Sequence, residues 1–227
     1  MAEPIILEQS DREAVVFKPA GISVQLGRDT EGVSLEARLK KSLGRERLFF
    51  PHRLDRITSG LLLVAFDRET VAYYNEEIRS QRIGKYYLAR SESLLENPGA
   101  LIGIQKRFLR VEGQISRVVR SGGLPSLLEI LEVEKAPGDA GAWQVLIRLI
   151  TGRMHQIRVM LADLGLPLAG DPRYNPGSKG DFYLESILLG FTAPGGEQRR
   201  CFWEGNPGRP LLAAPIRARL AALRSGP

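Results

Sequence analysis

His52-Arg53-Leu54-Asp55-Arg56-Ile57-Thr58-Ser59-Gly60-Leu61-Leu62-Leu63-Val64-Ala65 joins a polar, arginine-rich stretch to an unbroken apolar run. A short apolar run bounded by turn residues reads as a buried strand, so the residues before it form a loop at the edge of the core. Asp55 lies between Arg53 and Arg56 in that loop. A carboxylate placed there is partly desolvated yet surrounded by cations, which keeps it ionised and poorly hydrated. The plainer alternative is a turn residue or a surface ion-pair partner.

Working outward, apolar runs at 5–7, 14–17, 61–66, 86–89, 127–133 and 143–150 predict strands over most of the length. Leu35, Leu39 and Leu43 recur at four-residue spacing behind Ser34, with Glu36 and Lys40 as an (i, i+4) pair, and predict a helix. Asp67 caps a second helix whose apolar side carries Val71, Tyr74 and Ile78, with Gly84 placed to follow its end. A third helix is expected over 153–164, with Ile157, Leu161 and Leu164 on one face and Gly165 as the stop. Strands and helices mix irregularly, and connections without a helix imply antiparallel pairing. The fold class is therefore α+β, not a doubly wound sheet.

The third helix opens with Thr151-Gly152-Arg153-Met154-His155-Gln156-Ile157-Arg158 directly after a strand. His155 and Arg158 are three apart and share a helical face, while Ile157 and Leu161 point to the core. An arginine anchored in this way can present its guanidinium to one fixed carboxylate; a phosphate contact or an ordinary surface arginine is the alternative. The two histidines of the chain, His52 and His155, fall one in each of these segments.

At 227 residues the chain is long enough for one domain or two closely packed ones, and neither a linker nor a repeat divides it. With 43% hydrophobic and 26% charged residues it is a globular chain, not a disordered or collagenous one. Cys201 is the single cysteine, so no internal disulfide and no cysteine zinc site can form, and a reducing compartment is expected. The first residues carry acids where a secretory signal carries bases, and no stretch has the roughly 18 apolar residues of a membrane span, so a cytoplasmic protein off the membrane is expected. Glycine-rich phosphate loops, His-Glu-x-x-His and cysteine pairs are missing, so neither a cofactor nor a metal is expected. Lysine and arginine number 32 against 26 acids, leaving a net charge of +6, the balance expected of a surface that faces phosphates. Lys106, Arg107, Arg110, Arg117 and Arg120 crowd one segment in which Glu112 is the only acid. That segment is either a phosphate-facing hairpin or a solvated one.

These residues resemble the RluA-type family of RNA pseudouridine synthases. The stretch from His52 to Leu63 resembles the family's nucleophile motif and 151–161 its arginine motif. Lys18-Pro19-Ala20-Gly21, Lys85-Tyr86-Tyr87-Leu88-Ala89 and Gly170-Asp171-Pro172-Arg173-Tyr174 are further matches. The resemblance covers about 12–194, leaves an Arg/Pro/Gly-rich extension at 195–227, and implies one catalytic domain over 1–227 with no S4-type RNA-binding domain. It implies a mixed, largely antiparallel sheet flanked by helices. It makes Asp55 the catalytic aspartate, Tyr87 the active-site tyrosine, with Tyr86 beside it as the alternative, and Arg158 the arginine that pairs with the aspartate. His52, Arg53, Arg56, Thr58, Arg153, His155 and Gln156 are expected to contact substrate RNA together with the cationic segment. Glu185-Ser186, Met154 and Met160 depart from the residues common in the family. The implied activity is conversion of uridine to pseudouridine in rRNA or tRNA by a monomer, with the target base flipped out of its stack. The alternatives are a non-catalytic RNA-binding or ribosome-assembly protein of the same fold, and a hydrolase that uses Asp55 on a glycosidic bond.

Overall fold

The computed structural model describes residues 5–26 and 34–225; the remaining positions of the expected 1–227 domain lie outside the described residues. In chain order the elements are β1 (Ile5–Gln9), β2 (Glu13–Lys18), α1 (Leu35–Leu43), β3 (Ser59–Ala65), α2 (Arg68–Arg79), β4 (Gly84–Ser91), a 3-10 turn (Pro98–Leu101), β5 (Gly103–Glu112), β6 (Ile115–Val118), β7 (Leu124–Ala136), β8 (Asp139–Leu149), α3 (Gln156–Asp163), β9 (Leu184–Thr192), β10 (Gln198–Phe202) and α4 (Ala214–Ser225). They form two compact units, one of residues 1–84 and 185–204, the other of 85–184 and 205–227.

In the first unit β1, β2 and β3 run antiparallel, β3 pairs parallel with β9, and β10 returns antiparallel to β9. The parallel crossing explains Gly60. It holds φ at 118°, and a Cβ there would lie 2.4 Å from backbone atoms of Ser186, so only glycine lets the strands meet. The apolar run of the nucleophile motif is buried as expected, with Leu61 to Ala65 all at 1% exposure or less. α1 and α2 begin where their caps predict: Ser34 accepts from the Ala37 N–H and Asp67 from the Thr70 N–H. Gly84 does not end α2 but opens β4; the helix stops at Ser80, and Gln81 takes the positive φ of 58°.

The strands of the second unit form an antiparallel sheet in the order β4, β8, β7, β5, β6. α3 starts later than its apolar period suggests, because His155 adopts a left-handed conformation at φ 53° and caps the helix instead of joining it. Gly165, at φ 80°, ends it as expected. The extension at 195–227 is no appendage: β10 belongs to the first unit, and α4 buries Ile216 and Leu220 in the second. The class is α+β, with a mixed and mostly antiparallel strand arrangement.

Candidate active site

Asp55 sits half-buried in the loop before β3, and the Thr58 N–H donates to its carbonyl at 3.1 Å. Two latches hold this loop. His52 Nε2 accepts from the Leu63 N–H at 3.1 Å, tying the motif's first residue to the strand that follows. On the other side the Lys18 ammonium, wholly buried, donates to the carbonyls of Pro19, Ile22 and Arg56 at 3.0, 2.9 and 3.2 Å. Gly21 N–H donates to the Arg56 carbonyl and Arg56 Nε to the Gly21 carbonyl, so the Lys18–Gly21 stretch grips the residue next to Asp55 by its backbone and by its side chain. Burial pushes the Lys18 ammonium down to about 7, and the Asp55 carboxylate offsets part of that fall. Arg53 and Arg56 are exposed, whereas Thr58 is buried with its hydroxyl turned inward, so Thr58 belongs to the loop's interior and not to an RNA-facing surface.

In the second unit Tyr87 stands on β4 opposite Ile147 of β8, and Tyr86 opposite Arg148. Successive strand residues face opposite ways, so only one of the two tyrosines can serve a given site. Arg158 lies on the buried face of α3, 3% exposed. Its Nε and Nη2 donate to Oδ2 and Oδ1 of Asp171, each at 2.8 Å, in a two-pronged ion pair. Burial pushes the Asp171 carboxyl up, but Arg158 and the N–H groups of Arg173 and Tyr174 outweigh it and hold it below its ordinary value. Asp171 is the residue that the sequence reading quoted without a role. A buried arginine requires a carboxylate, and Asp171 supplies it.

The start of α3 is knitted together by its own polar groups. Gln156, expected at the RNA surface, is 2% exposed: its Oε1 accepts from Thr151 and from the Arg153 N–H, and its Nε2 donates to the Leu127 carbonyl. Its place is inside the turn. His155 Nδ1 lies 3.0 Å from the Tyr174 hydroxyl, which in turn bonds the backbone of Ser116 on β6, so Tyr174 ties the β5–β6 hairpin to the head of α3. Arg153 is exposed beside this knot.

The hairpin itself forms, but its cations are not all unpaired. Arg107 meets Asp163 of α3 at 2.5 Å, an acid distant in sequence, and Arg117 meets Glu112 at 2.9 Å. Arg110 reaches the Ser121 carbonyl at 3.0 Å. Lys106, Arg110 and Arg120 are exposed, with Lys106 5.5 Å from the centre of the exposed Phe108 ring.

Comparison with known proteins places these features. A family model described as RNA pseudouridylate synthase matches residues 13–163. Over 86% of its length the chain is 30% identical to a ribosomal large subunit pseudouridine synthase C from Vibrio vulnificus, of which it spans 64%. It is 28% identical over 82% of its length to an uncharacterized RNA pseudouridine synthase from Haemophilus influenzae, of which it spans 81%. The solved structure of human RNA pseudouridylate synthase domain containing 1 shares its fold with a TM-score of 0.73, at 24% identity over 99% of this chain and 96% of that one. The family match runs through the Lys18 grip, the Asp55 loop, both tyrosines and Arg158, and on it this chain belongs to the RNA pseudouridylate synthase family.

Proposed function

We propose that the chain converts uridine to pseudouridine in large-subunit ribosomal RNA, as a cytoplasmic monomer and without a cofactor. The observation that carries the reading is the family match over 13–163, which encloses Asp55, Tyr87 and Arg158 together. The name of the Vibrio vulnificus relative supports the ribosomal substrate over transfer RNA.

The reaction detaches uracil from C1′ of the ribose, turns it, and rejoins it through C5, so it needs neither a redox partner nor an energy source. Ionised Asp55 acts on the nucleotide, by attack or by promoting ribose deprotonation. Arg158, fixed by its two-pronged pair with Asp171, is the arginine that the family resemblance assigns to the reaction. Tyr87 offers a ring on which uracil stacks and a hydroxyl that takes part in proton removal. Extruding the base costs a few kcal/mol, which cationic contacts to the RNA backbone offset.

The test is a map of pseudouridines in total RNA from a deletion strain and its parent, with complementation by wild type and by Asp55→Asn. Loss of a large-subunit pseudouridine, restored by wild type and not by Asp55→Asn, is the expected result. Identical maps would overturn the activity, a lost site in transfer RNA would overturn the substrate, and restoration by Asp55→Asn would overturn the role of Asp55.

A further inference from the structure

Lys85 is 4% exposed, yet among the described residues its ammonium has no hydrogen-bond acceptor and no carboxylate. Burial alone pushes it down to about 8. A buried cation without a partner is costly, and unlike Lys18 it holds no loop in place in return. Its surroundings say what it is for. Lys85 and Tyr87 are two apart on β4, so both side chains leave the same face, about 7 Å apart along the strand. The ammonium points at Gly152, the exposed residue between Thr151 and Arg153: a Cβ built on Gly152 would lie 3.7 Å from Lys85 Nζ and would meet nothing else within 4 Å. Glycine at that position leaves the ammonium an outlet to solvent beside the exposed Arg153.

We propose that Lys85 is a substrate-binding residue whose ammonium takes a backbone phosphate of the RNA, the phosphate next to the nucleotide whose base lies on Tyr87. The inference rests on the reading that the chain acts on RNA. A phosphate supplies the counter-charge that Lys85 lacks, and it enters through the gap that Gly152 leaves open. The spacing along β4 sets base and phosphate one nucleotide's reach apart. Because the cation is desolvated before the RNA arrives, little hydration has to be stripped when it binds, and the contact is stronger than one from an exposed lysine.

The test uses the full chain and an unmodified large-subunit ribosomal RNA transcript, with affinity read by equilibrium titration against salt. Lys85→Met is expected to raise Tm, since it removes a buried unpaired charge. It should weaken RNA binding about tenfold and flatten the slope of log affinity against log salt by about 0.7, the share of one phosphate on a single strand. Gly152→Val covers the ammonium without replacing it; it should keep Tm near the parent's and lose affinity to a similar extent. Unchanged affinity and slope in both variants would overturn the proposal. So would a fall in Tm for Lys85→Met with no change in slope, which would make Lys85 part of the scaffold. Binding is measured apart from turnover, so a parent protein that binds the transcript through Lys85 but forms no pseudouridine would overturn the functional reading and leave the phosphate contact standing.

Discussion

At the residue scale, Lys18 and Arg158 are both buried cations, and they are satisfied differently. Lys18 is held by three carbonyls, and its folded-state value of about 7 lies far below the ordinary 10.5. Between those two values the unfolded chain binds a proton that the folded chain does not, so stability rises with pH across the window from about 7 to about 10.5. Lys18→Met should flatten that rise in Tm. At pH 9 it should also be less stable than the parent, because the Pro19 and Ile22 carbonyls lose their donor at about 1–3 kcal/mol each. A variant whose Tm climbs with pH as steeply as the parent's would contradict this account. Arg158 is held by a carboxylate, and breaking such a pair from one side costs about 3–5 kcal/mol. Asp171→Leu should therefore lower Tm by roughly 10 °C. Adding Arg158→Met should recover most of that loss while leaving turnover abolished, since an apolar pair can replace a buried ion pair in stability but not in chemistry. Recovery of activity along with Tm would show that Arg158 serves the fold alone. The sequence pointed to Arg158 through its place beside His155 on a helix anchored by Ile157 and Leu161; it hid Asp171, because a partner thirteen positions away across a turn leaves no periodic trace.

At the element scale, the strands with a continuous apolar run and the helices with an apolar stripe and a side-chain cap were legible. β9 and β10 were not. β9 begins Leu184-Glu185-Ser186, and all three residues are buried, so polar residues in a core strand mask its period. β10 is Gln-Arg-Arg-Cys-Phe, whose polar positions read as loop. The cationic hairpin was legible as a hairpin, but its charge pairing was not, since Asp163 reaches Arg107 only through the packing of α3. That pairing changes what the hairpin can offer RNA. Replacing Lys106, Arg110 and Arg120 together by Gln should flatten the salt dependence of RNA affinity by up to about 2 units, at roughly 0.7 per phosphate. Replacing Arg107 and Arg117 should flatten it far less, because their charge is already shared with Asp163 and Glu112. Equal effects from the two sets would show that RNA displaces those acids.

At the scale of the whole molecule, the absence of a linker made one domain over 1–227 the natural expectation, and composition could not show that the chain alternates between two compact units. The alternation follows from contacts between distant segments, which no local pattern encodes. Its clearest mark is the C-terminal stretch, where Arg, Pro and Gly suggested an outer extension. Gln144 of β8 donates from Nε2 to the Leu211 carbonyl at 2.6 Å and accepts from the Ala213 N–H at 2.9 Å, pinning the chain just before α4. From that anchor α4 buries Ile216 at 0% and Leu220 at 3% exposure, a depth usual for core and not for a tail. If the helix is integral to the second unit, Leu220→Ala should cost about 2–5 kcal/mol, the range for large-to-small changes in a packed interior. In a chain of this length each kcal/mol moves Tm by about 2–4 °C, so a fall of roughly 10 °C is expected by calorimetry. Arg219→Ala, on the exposed side of the same helix, should stay within about 1–2 °C of the parent. If the two variants melt together, α4 is a surface attachment and the second unit ends at Leu184.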